Sequence, residues 1–218
     1  MIGQLKKNGF VVFRDLLPVG TVDDLRAFLE SEPPPADDSG YYRLNTRLSP
    51  KLWTVADAPA LRDLLAAWFG TDKLRMHMPP QIRCVTPDNP QVAVPAHQDA
   101  SYNGHISGDF LTVWVPLVAI DSDCGGVGFY KGTANAPVIP TAPSGRPYLL
   151  HAIPTDGLSM VTHDMKPGDA LIFNQQVIHA SMPNRSNRTR YSIDYRFFAG
   201  SSAKHYLDLQ TSTVVAPR

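Results

Sequence analysis

Cysteine is scarce in this sequence, which has only Cys84 and Cys124 among its 218 residues. Two cysteines cannot build a disulfide framework or, alone, a structural zinc site, so we expect a protein of the reducing cytoplasm. Glutamate is equally rare, since Glu30 and Glu32 are the only two. Because glutamate is one of the better helix-forming residues, its scarcity argues against a helical bundle.

Two further absences narrow the range of partners. The 20 lysines and arginines balance the 20 aspartates and glutamates, so no net charge draws the chain to nucleic acid or to an anionic membrane. No segment approaches the ~20 apolar residues of a membrane span, and residues 1–7 lack the apolar core of a signal peptide. We therefore expect a monomer or homodimer that has no nucleic-acid or membrane partner.

The sequence is instead rich in residues that form turns, with 20 prolines and 15 glycines, which favours short strands joined by turns. The clearest helical pattern runs from Pro59 to Gly70, with Asp57 as the expected cap. Strands are predicted at residues 74–85, 110–120, 127–131, 170–173, 177–181 and 190–198. We predict one α+β, mainly β domain over residues 1–218, in which a mostly helical part (1–73) supports a sandwich or barrel (74–200).

Two parts of the sequence offer ligands for a metal ion. His97 and Asp99 are two residues apart, so on a strand both side chains point to one face and can bind one cation. His179 lies in an otherwise apolar strand. Two histidines and one carboxylate form the facial triad of non-haem Fe(II) oxygenases, which leaves coordination positions open. The alternatives are a polar pair at a strand end and a hydrogen-bonded core histidine.

A second polar motif follows eleven residues after His179. The alternating pattern predicts a strand whose polar residues share one face: Arg190, Ser192, Asp194 and Arg196. An arginine and a serine two residues apart suit a carboxylate such as that of 2-oxoglutarate. The alternative is a solvent-exposed face on which Asp194 pairs with either arginine. On an earlier strand, Gln81 can reach a 2-oxoglutarate carboxylate or the substrate, whereas we expect Arg83 to make a structural contact in the sheet.

The order of these motifs resembles that of the phytanoyl-CoA dioxygenase family. After an N-terminal strand and helix, the chain contains the motifs His97-Gln98-Asp99, Trp114, Cys124-Gly125-Gly126-Val127, Lys131-Gly132-Thr133, Gly168-Asp169, His179-Ala180-Ser181, Asn184-Arg185-Ser186 and Arg190. The resemblance covers almost the whole chain. The His-x-Asp motif, the distal histidine and the later arginine make it specific because they occur in this order.

The resemblance implies a double-stranded β-helix, or jelly-roll, that binds Fe(II) through His97, Asp99 and His179. It also implies that 2-oxoglutarate and O2 are cosubstrates and that Arg190 binds the distal carboxylate of 2-oxoglutarate. The candidates beside that carboxylate are Ser181, Ser192 and Gln81. Related halogenases have alanine or glycine at the position of Asp99, so the carboxylate here argues for oxygen transfer.

Two longer segments, residues 33–45 and 132–147, are predicted to be irregular loops, and loops of this length often act as lids. At the end of the first loop, the expected substrate contacts are Tyr41, Tyr42 and Arg43. The other candidates directly follow Asp99 and are Tyr102, Asn103 and His105.

The leading hypothesis is an Fe(II)- and 2-oxoglutarate-dependent dioxygenase that hydroxylates a small polar or amphipathic metabolite, in natural-product or surface-glycan biosynthesis, and releases succinate and CO2. Two other hypotheses remain: a non-catalytic jelly-roll binding module, and a zinc-dependent hydrolase that uses the same His/Asp/His site. Arg190 discriminates between them, because a hydrolase does not need a group that binds 2-oxoglutarate.

Overall fold

The structure is a computed structural model that describes residues 1–35, 40–87, 93–101, 106, 108–139, 142–146, 149–200 and 203–216. The helices are α1 (Ile2–Asn8), α2 (Val19–Ser31), α3 (Leu44–Arg47) and α4 (Pro59–Phe69), with 3-10 turns at Pro50–Asp57 and Asp99–Ser101. The strands are β1 (Phe10–Phe13), β2 (Leu74–His77), β3 (Gln81–Val85), β4 (Phe110–Pro116), β5 (Val127–Tyr130), β6 (Ala142–Arg146), β7 (Leu149–Ala152), β8 (Met160–Val161), β9 (Ala170–Asn174), β10 (His179–Ser181), β11 (Arg190–Ala199), β12 (Tyr206–Asp208) and β13 (Thr213–Val215).

Two antiparallel sheets form the jelly-roll. The larger sheet has the strand order β1-β9-β4-β11-β2-β12-β13, and β3 also pairs with β11. The smaller sheet has the order β10-β5-β8, and β6 and β7 form a separate pair. The mainly β fold expected from the sequence is confirmed. The larger sheet also takes strands from outside residues 74–200, namely β1 from the N-terminal part and β12 and β13 from the C-terminal part.

The central strand β11 presents two chemically different faces. Its fully buried apolar residues pack into the core beneath the N-terminal helices: Ile193, Tyr195 and Phe197. The alternate residues line a cavity on the other face: Arg190, Ser192, Asp194 and Arg196. The predicted sharing of one face is therefore confirmed, and the solvent-exposed alternative is wrong, since Arg190 and Ser192 are each only 2% exposed.

The N-terminal helices cover the opposite face of the larger sheet. Their buried leucines join one hydrophobic cluster with the sheet and include Leu5, Leu25, Leu29, Leu61 and Leu65. Full burial of each such side chain contributes about 1.5–3 kcal/mol. Helix α4 begins at Pro59 and ends before Gly70, as predicted, but Asp57 does not cap it; the Asp57 carboxylate instead accepts a hydrogen bond from Arg62 at 2.9 Å. Among the described residues, no helix is both long and apolar enough to cross a bilayer.

Three predicted segments differ from the structure. Residues 74–85 form two strands, because Pro79 and Pro80 cannot donate hydrogen bonds to a sheet. The strand predicted at 177–181 begins only at His179, since the backbone N–H of Val177 is bound by the Asn174 side chain at 2.8 Å. The segment 132–147 is not irregular throughout, because β6 pairs with β7.

Candidate active site

Two backbone hydrogen bonds join the halves of the candidate metal site. The N–H of His97 donates to the carbonyl of His179 at 2.9 Å, and the N–H of His179 donates to the carbonyl of His97 at 3.0 Å. One potential ligand atom from each of His97, Asp99 and His179 lies within 4.8 Å of the other two. The structure therefore brings together three side chains from two distant parts of the sequence.

Both imidazole rings are oriented by backbone carbonyls. Nδ1 of His97 lies 2.9 Å from the Pro95 oxygen, and Nδ1 of His179 lies 3.0 Å from the Val177 oxygen. A carbonyl oxygen only accepts hydrogen bonds, so Nδ1 carries the proton and the unprotonated Nε2 is the ligand atom. Burial lowers the pKa of His179 to about 3, which keeps this ring neutral at pH 7.

The carboxylate of Asp99 is held from two sides. Thr112 donates a 2.6 Å hydrogen bond to Oδ2, and Nη2 of Arg196 lies 3.5 Å from Oδ1. Burial alone raises the pKa of Asp99, but the positive charge of Arg196 opposes burial and helps to hold the pKa well below its usual range. The carboxylate is therefore ionised, and its Oδ1 faces both histidines.

Gln98, between two of the candidate ligands, anchors their backbone to the loops behind them. Its fully buried side chain donates from Nε2 to the carbonyls of Gln176 at 2.7 Å and Pro137 at 3.1 Å. Its Oε1 accepts a hydrogen bond from the N–H of Ile139 at 2.9 Å. Because all these contacts are internal, this turn has a fixed position relative to β9 and β10.

The three side chains fit a metal ion of the facial-triad type. Nε2 of His97 and Nε2 of His179 lie 3.7 Å and 3.9 Å from Oδ1 of Asp99. Ligands about 2.1 Å from one ion at right angles are ~3 Å apart, so each of these two distances would need to shorten by under ~1 Å. Two neutral imidazoles and one carboxylate form the donor set of non-haem Fe(II) sites.

Two arginines lie at the other end of the same cavity, which has a volume of about 300 Å³. Nη1 of Arg190 donates to the carbonyl of Met182 at 2.9 Å, while its buried Nε has no hydrogen-bond partner among the described residues. Nη1 of Arg83 donates to Oγ of Ser181 at 3.1 Å. Burial, followed by the charge of Arg83, lowers the pKa of Arg190 to about 10, so Arg190 stays cationic. Two neighbouring buried cations favour an anion at this end.

Asp194 lies between the metal ligands and the arginine end. In the antiparallel register it is opposite Trp114 on β4 and Gln81 on β3. Two residues further along β11, Arg196 lies beside the candidate metal ligands. Two residues back, Ser192 is opposite Arg83. Burial raises the pKa of Asp194 to about 6, although Arg196 acts in the opposite direction.

Some of the site residues predicted from the sequence line the cavity, and others do not. The expected cofactor-binding residues all line the cavity: Gln81, Ser181, Arg190 and Ser192. Of the expected substrate contacts, Tyr41 lines it, with its ring centroid 5.1 Å from the Arg83 guanidinium. Tyr102, Asn103 and His105 lie outside the described residues.

Two of the expected substrate contacts do not line the cavity. Tyr42 is 4% exposed and packs in the core beneath the helices, where its hydroxyl donates to the carbonyl of Leu29 at 3.0 Å. Successive residues of an extended chain point to opposite sides, so Tyr42 turns away from the cavity that Tyr41 lines. Arg43 is exposed at the start of α3 and does not line the cavity. That residues 33–45 and 132–147 act as lids stays a prediction.

Sequence reasoning missed several cavity residues. Arg83 was expected to make a structural contact in the sheet, yet it lines the cavity together with Trp114 and Phe173. Thr112, which binds Asp99, was not singled out. Strand alternation could have indicated both residues. Arg83 is two residues from Gln81, and Thr112 is two residues from Trp114, so each pair shares one face of its strand.

A His/Asp/His donor set inside a jelly-roll is typical of the non-haem iron oxygenase class. The sequence profile of the phytanoyl-CoA dioxygenase (PhyH) family matches residues 5–192, and the chain belongs to this family.

Similar proteins agree with this assignment. The chain is 30% identical over 128 residues to 1-deoxypentalenic acid 11-beta-hydroxylase of Streptomyces exfoliatus, a match that covers 54% of this chain and 45% of the relative. The match therefore spans less than half the length of that relative. EvdO2 from Micromonospora carbonacea var. aurantiaca, solved with 2-oxoglutarate, superimposes with a TM-score of 0.73 at 17% identity over 91% of this chain and 89% of EvdO2. The epimerase SnoN, solved with Fe3+, alpha ketoglutarate and nogalamycin RO, has a TM-score of 0.70 at 20% identity over 90% of this chain and 81% of SnoN.

Proposed function

We propose that this protein is an Fe(II)- and 2-oxoglutarate-dependent dioxygenase, a single domain over residues 1–218, that hydroxylates a small polar or amphipathic metabolite. One observation carries the proposal: the His97, Asp99 and His179 cluster and the buried Arg190 face the same cavity. Membership of the phytanoyl-CoA dioxygenase family supports it.

In this proposal Fe(II) is held by His97, Asp99 and His179. When bound, iron supplies the activation of O2 that oxidises 2-oxoglutarate to succinate and CO2 and converts a substrate C–H bond to an alcohol. Thr112 keeps Oδ2 of Asp99 occupied, so the carboxylate offers Oδ1 alone to the metal. The backbone carbonyls on both Nδ1 atoms keep the rings in the tautomer that the metal needs.

The distal carboxylate of 2-oxoglutarate is assigned to the arginine end of the cavity. The guanidinium of Arg190 offers a planar fork, and its Nε still needs an acceptor. Oγ of Ser181 accepts a hydrogen bond from Arg83, so its own O–H can donate to the same carboxylate. Ser192, opposite Arg83 in the sheet, adds a second hydroxyl. Gln81 is two residues from Arg83 on β3, opposite Asp194, and so lies closer to the metal ligands.

The substrate is assigned to small-molecule metabolism, with natural-product biosynthesis favoured over surface-glycan biosynthesis. The curated Streptomyces relative is a hydroxylase of a small acid, and SnoN was solved with nogalamycin RO. The cavity supports an amphipathic ligand, because its walls combine the apolar side chains of Trp114, Val127 and Phe173 with charged groups.

Epimerisation is the second candidate reaction, because SnoN has the same fold and is described as an epimerase. The mass of the product separates the two reactions. Hydroxylation adds one oxygen atom to the substrate, whereas epimerisation leaves its mass unchanged. The presence of Asp99 as a third ligand is compatible with both.

The function is tested by purifying the protein without oxygen, loading it with Fe(II), and measuring succinate release from 2-oxoglutarate. Arg190→Lys keeps the charge but loses the planar fork, so we expect the Michaelis constant for 2-oxoglutarate to rise more than about tenfold. Arg188→Lys is the matched control, because Arg188 is two residues away and pairs on the surface with Asp121. An unchanged constant in Arg190→Lys would assign the carboxylate site elsewhere. Hydrolytic turnover with zinc and without 2-oxoglutarate would favour the hydrolase.

A further inference from the structure

Asp194 is the one charged side chain of the β11 cavity face that the proposed chemistry does not use. Its neighbours have partners of their own: Arg196 pairs with Asp99 at 3.5 Å, and Arg83 donates to Ser181. In the described parts of the chain, no hydrogen-bond donor and no ion-pair partner lies within contact distance of the Asp194 carboxylate. The Asp194 side chain is only partly buried and lines the cavity, so a ligand in the cavity can donate a hydrogen bond to it.

2-Oxoglutarate is not this ligand, because it carries no hydrogen-bond donor. 2-Oxoglutarate is a dianion, and its carboxylates are repelled by Asp194 and attracted by Arg190. Two residues along a strand span about 6.6 Å, so Asp194 lies about that far along the cavity floor from both Ser192 and Arg196. A group beside Asp194 is therefore near the candidate metal ligands, where a substrate must lie in order to react.

The charges around Asp194 decide the class of donor. The arginines at positions 83 and 196 act electrostatically on Asp194, and the metal adds further positive charge. An ammonium group would meet these cations, and an anionic group would meet the carboxylates of Asp194 and Asp99. A neutral hydroxyl avoids both penalties, and Trp114, directly opposite, offers an apolar surface for the carbon frame that carries it.

We propose that Asp194 is a specificity-determining residue that accepts a hydrogen bond from a neutral hydroxyl group of the substrate. This inference rests on the proposed function, because it assumes that the substrate occupies the cavity beside the metal. It names the substrate class more narrowly, as an alicyclic or similarly compact alcohol.

The test uses three probes with one ring: cyclohexanol donates a hydrogen bond, cyclohexanone only accepts one, and cyclohexylamine is a cationic donor at pH 7.5. The protein is loaded with Zn(II), which is redox-inactive, and with 2-oxoglutarate, so no turnover occurs. Dissociation constants are measured by titration with saturation-transfer NMR. A hydrogen bond to a charged acceptor predicts that wild-type protein binds cyclohexanol about tenfold or more tightly than cyclohexanone. Cyclohexylamine should not bind more tightly than cyclohexanol.

Two variants and one control locate the effect. In Asp194→Ala the ratio of the cyclohexanone and cyclohexanol constants should fall to near one, whereas Asp23→Ala, on the exposed surface of α2, should keep the wild-type ratio. If Asp194→Ala no longer binds 2-oxoglutarate because it is misfolded, the isosteric Asp194→Asn decides, and its ratio should also fall because the acceptor has lost its charge.

The inference is overturned if the wild type binds cyclohexanol no more tightly than cyclohexanone, does not bind cyclohexanol detectably, or binds cyclohexylamine more tightly than cyclohexanol. It is also overturned if the ratio of the cyclohexanone and cyclohexanol constants stays at the wild-type value in Asp194→Ala or, where that variant misfolds, in Asp194→Asn. Failure of the proposed function has a different signature, since wild-type protein would then not bind 2-oxoglutarate, whatever the ratio of the ring probes.

Discussion

Asp169 and Asp194 are carboxylates in neighbouring parts of the same jelly-roll, but their surroundings differ. Asp169, in the turn before β9, is fully buried and accepts hydrogen bonds from Arg14 at 2.7 Å and from the N–H groups of Asp15 and Lys166 at 3.0 Å each. Asp194, on the cavity face of β11, has no such donor in the described part of the chain. Among the described residues, the fold supplies three hydrogen-bond donors to Asp169 and none to Asp194.

The two environments shift the pKa values in opposite directions. Burial alone raises the pKa of Asp169, but the hydrogen bonds from Lys166, Asp15 and Arg14 outweigh it and lower the pKa. Burial raises the pKa of Asp194 to about 6, and no residue in the described part of the chain donates a hydrogen bond to its ionised form. A carboxylate therefore stabilises this fold where backbone and arginine donors surround it, and destabilises it where burial is not offset by such donors.

Gly168, in the turn before Asp169, packs tightly against the backbone of Leu17. It has φ of +100°, and a Cβ at this position would lie 2.7 Å from the carbonyl oxygen of Leu17. The N–H of Leu17 donates to the carbonyl of Gly168 at 3.0 Å. The turn therefore binds the chain between β1 and α2, and the Gly-Asp motif has a structural role outside the cavity.

A third carboxylate, Asp99, contacts Thr112 and Arg196 and is also a proposed metal ligand. Asp99→Ala should abolish metal binding and 2-oxoglutarate-dependent succinate release, because it removes one of three ligands. Metal content and succinate are measured beside Asp123→Ala, an exposed aspartate outside the cavity. Full activity of Asp99→Ala would remove this carboxylate from the site.

Asp169→Asn should lower the free energy of unfolding by about 2–4 kcal/mol, because the amide cannot satisfy three donors that bind an ionised carboxylate. Since the folded pKa is below the unfolded one, this stabilisation is present above the unfolded pKa, about 3.9, and is lost as the pH falls through the folded pKa. Urea unfolding from pH 3 to 7 measures it. Equal stability of variant and wild type at pH 7 would contradict the role given to this turn.

Asp194→Asn should have the opposite and smaller effect, raising the free energy of unfolding of the metal-free protein by about 1–2 kcal/mol at pH 7.5. The groups that act on Asp194 are Arg196, Asp99, Arg83 and His97. Because the folded pKa is raised, this destabilisation is complete above pH 6, diminishes as the pH falls towards about 3.9, and is absent below it. Unfolding of variant and wild type at pH 4.5 and 7.5 tests this; a variant less stable at pH 7.5 would show that Asp194 has partners in the fold.

Much of the fold and part of the site could be predicted because they depend on local pattern. Alternation along β11 predicted that Arg190, Ser192, Asp194 and Arg196 share a face, since the side chains of a strand alternate strictly. The Pro59 and Gly70 boundaries of α4 follow from the backbone preferences of these residues. The motif order was sufficient to indicate the family.

The environment that each strand face contacts depends on the tertiary structure. Tyr41 and Tyr42 are adjacent and chemically identical, yet one lines the cavity and the other packs under α2, because the backbone pairing of Tyr41 with Arg83 sets which way each side chain points. Likewise, alternation could not show whether β11 faces water or a second sheet. His97 and His179 meet through backbone hydrogen bonds between distant parts of the chain. Whether a described residue donates to Asp194 depends on every side chain around it, which no local pattern specifies.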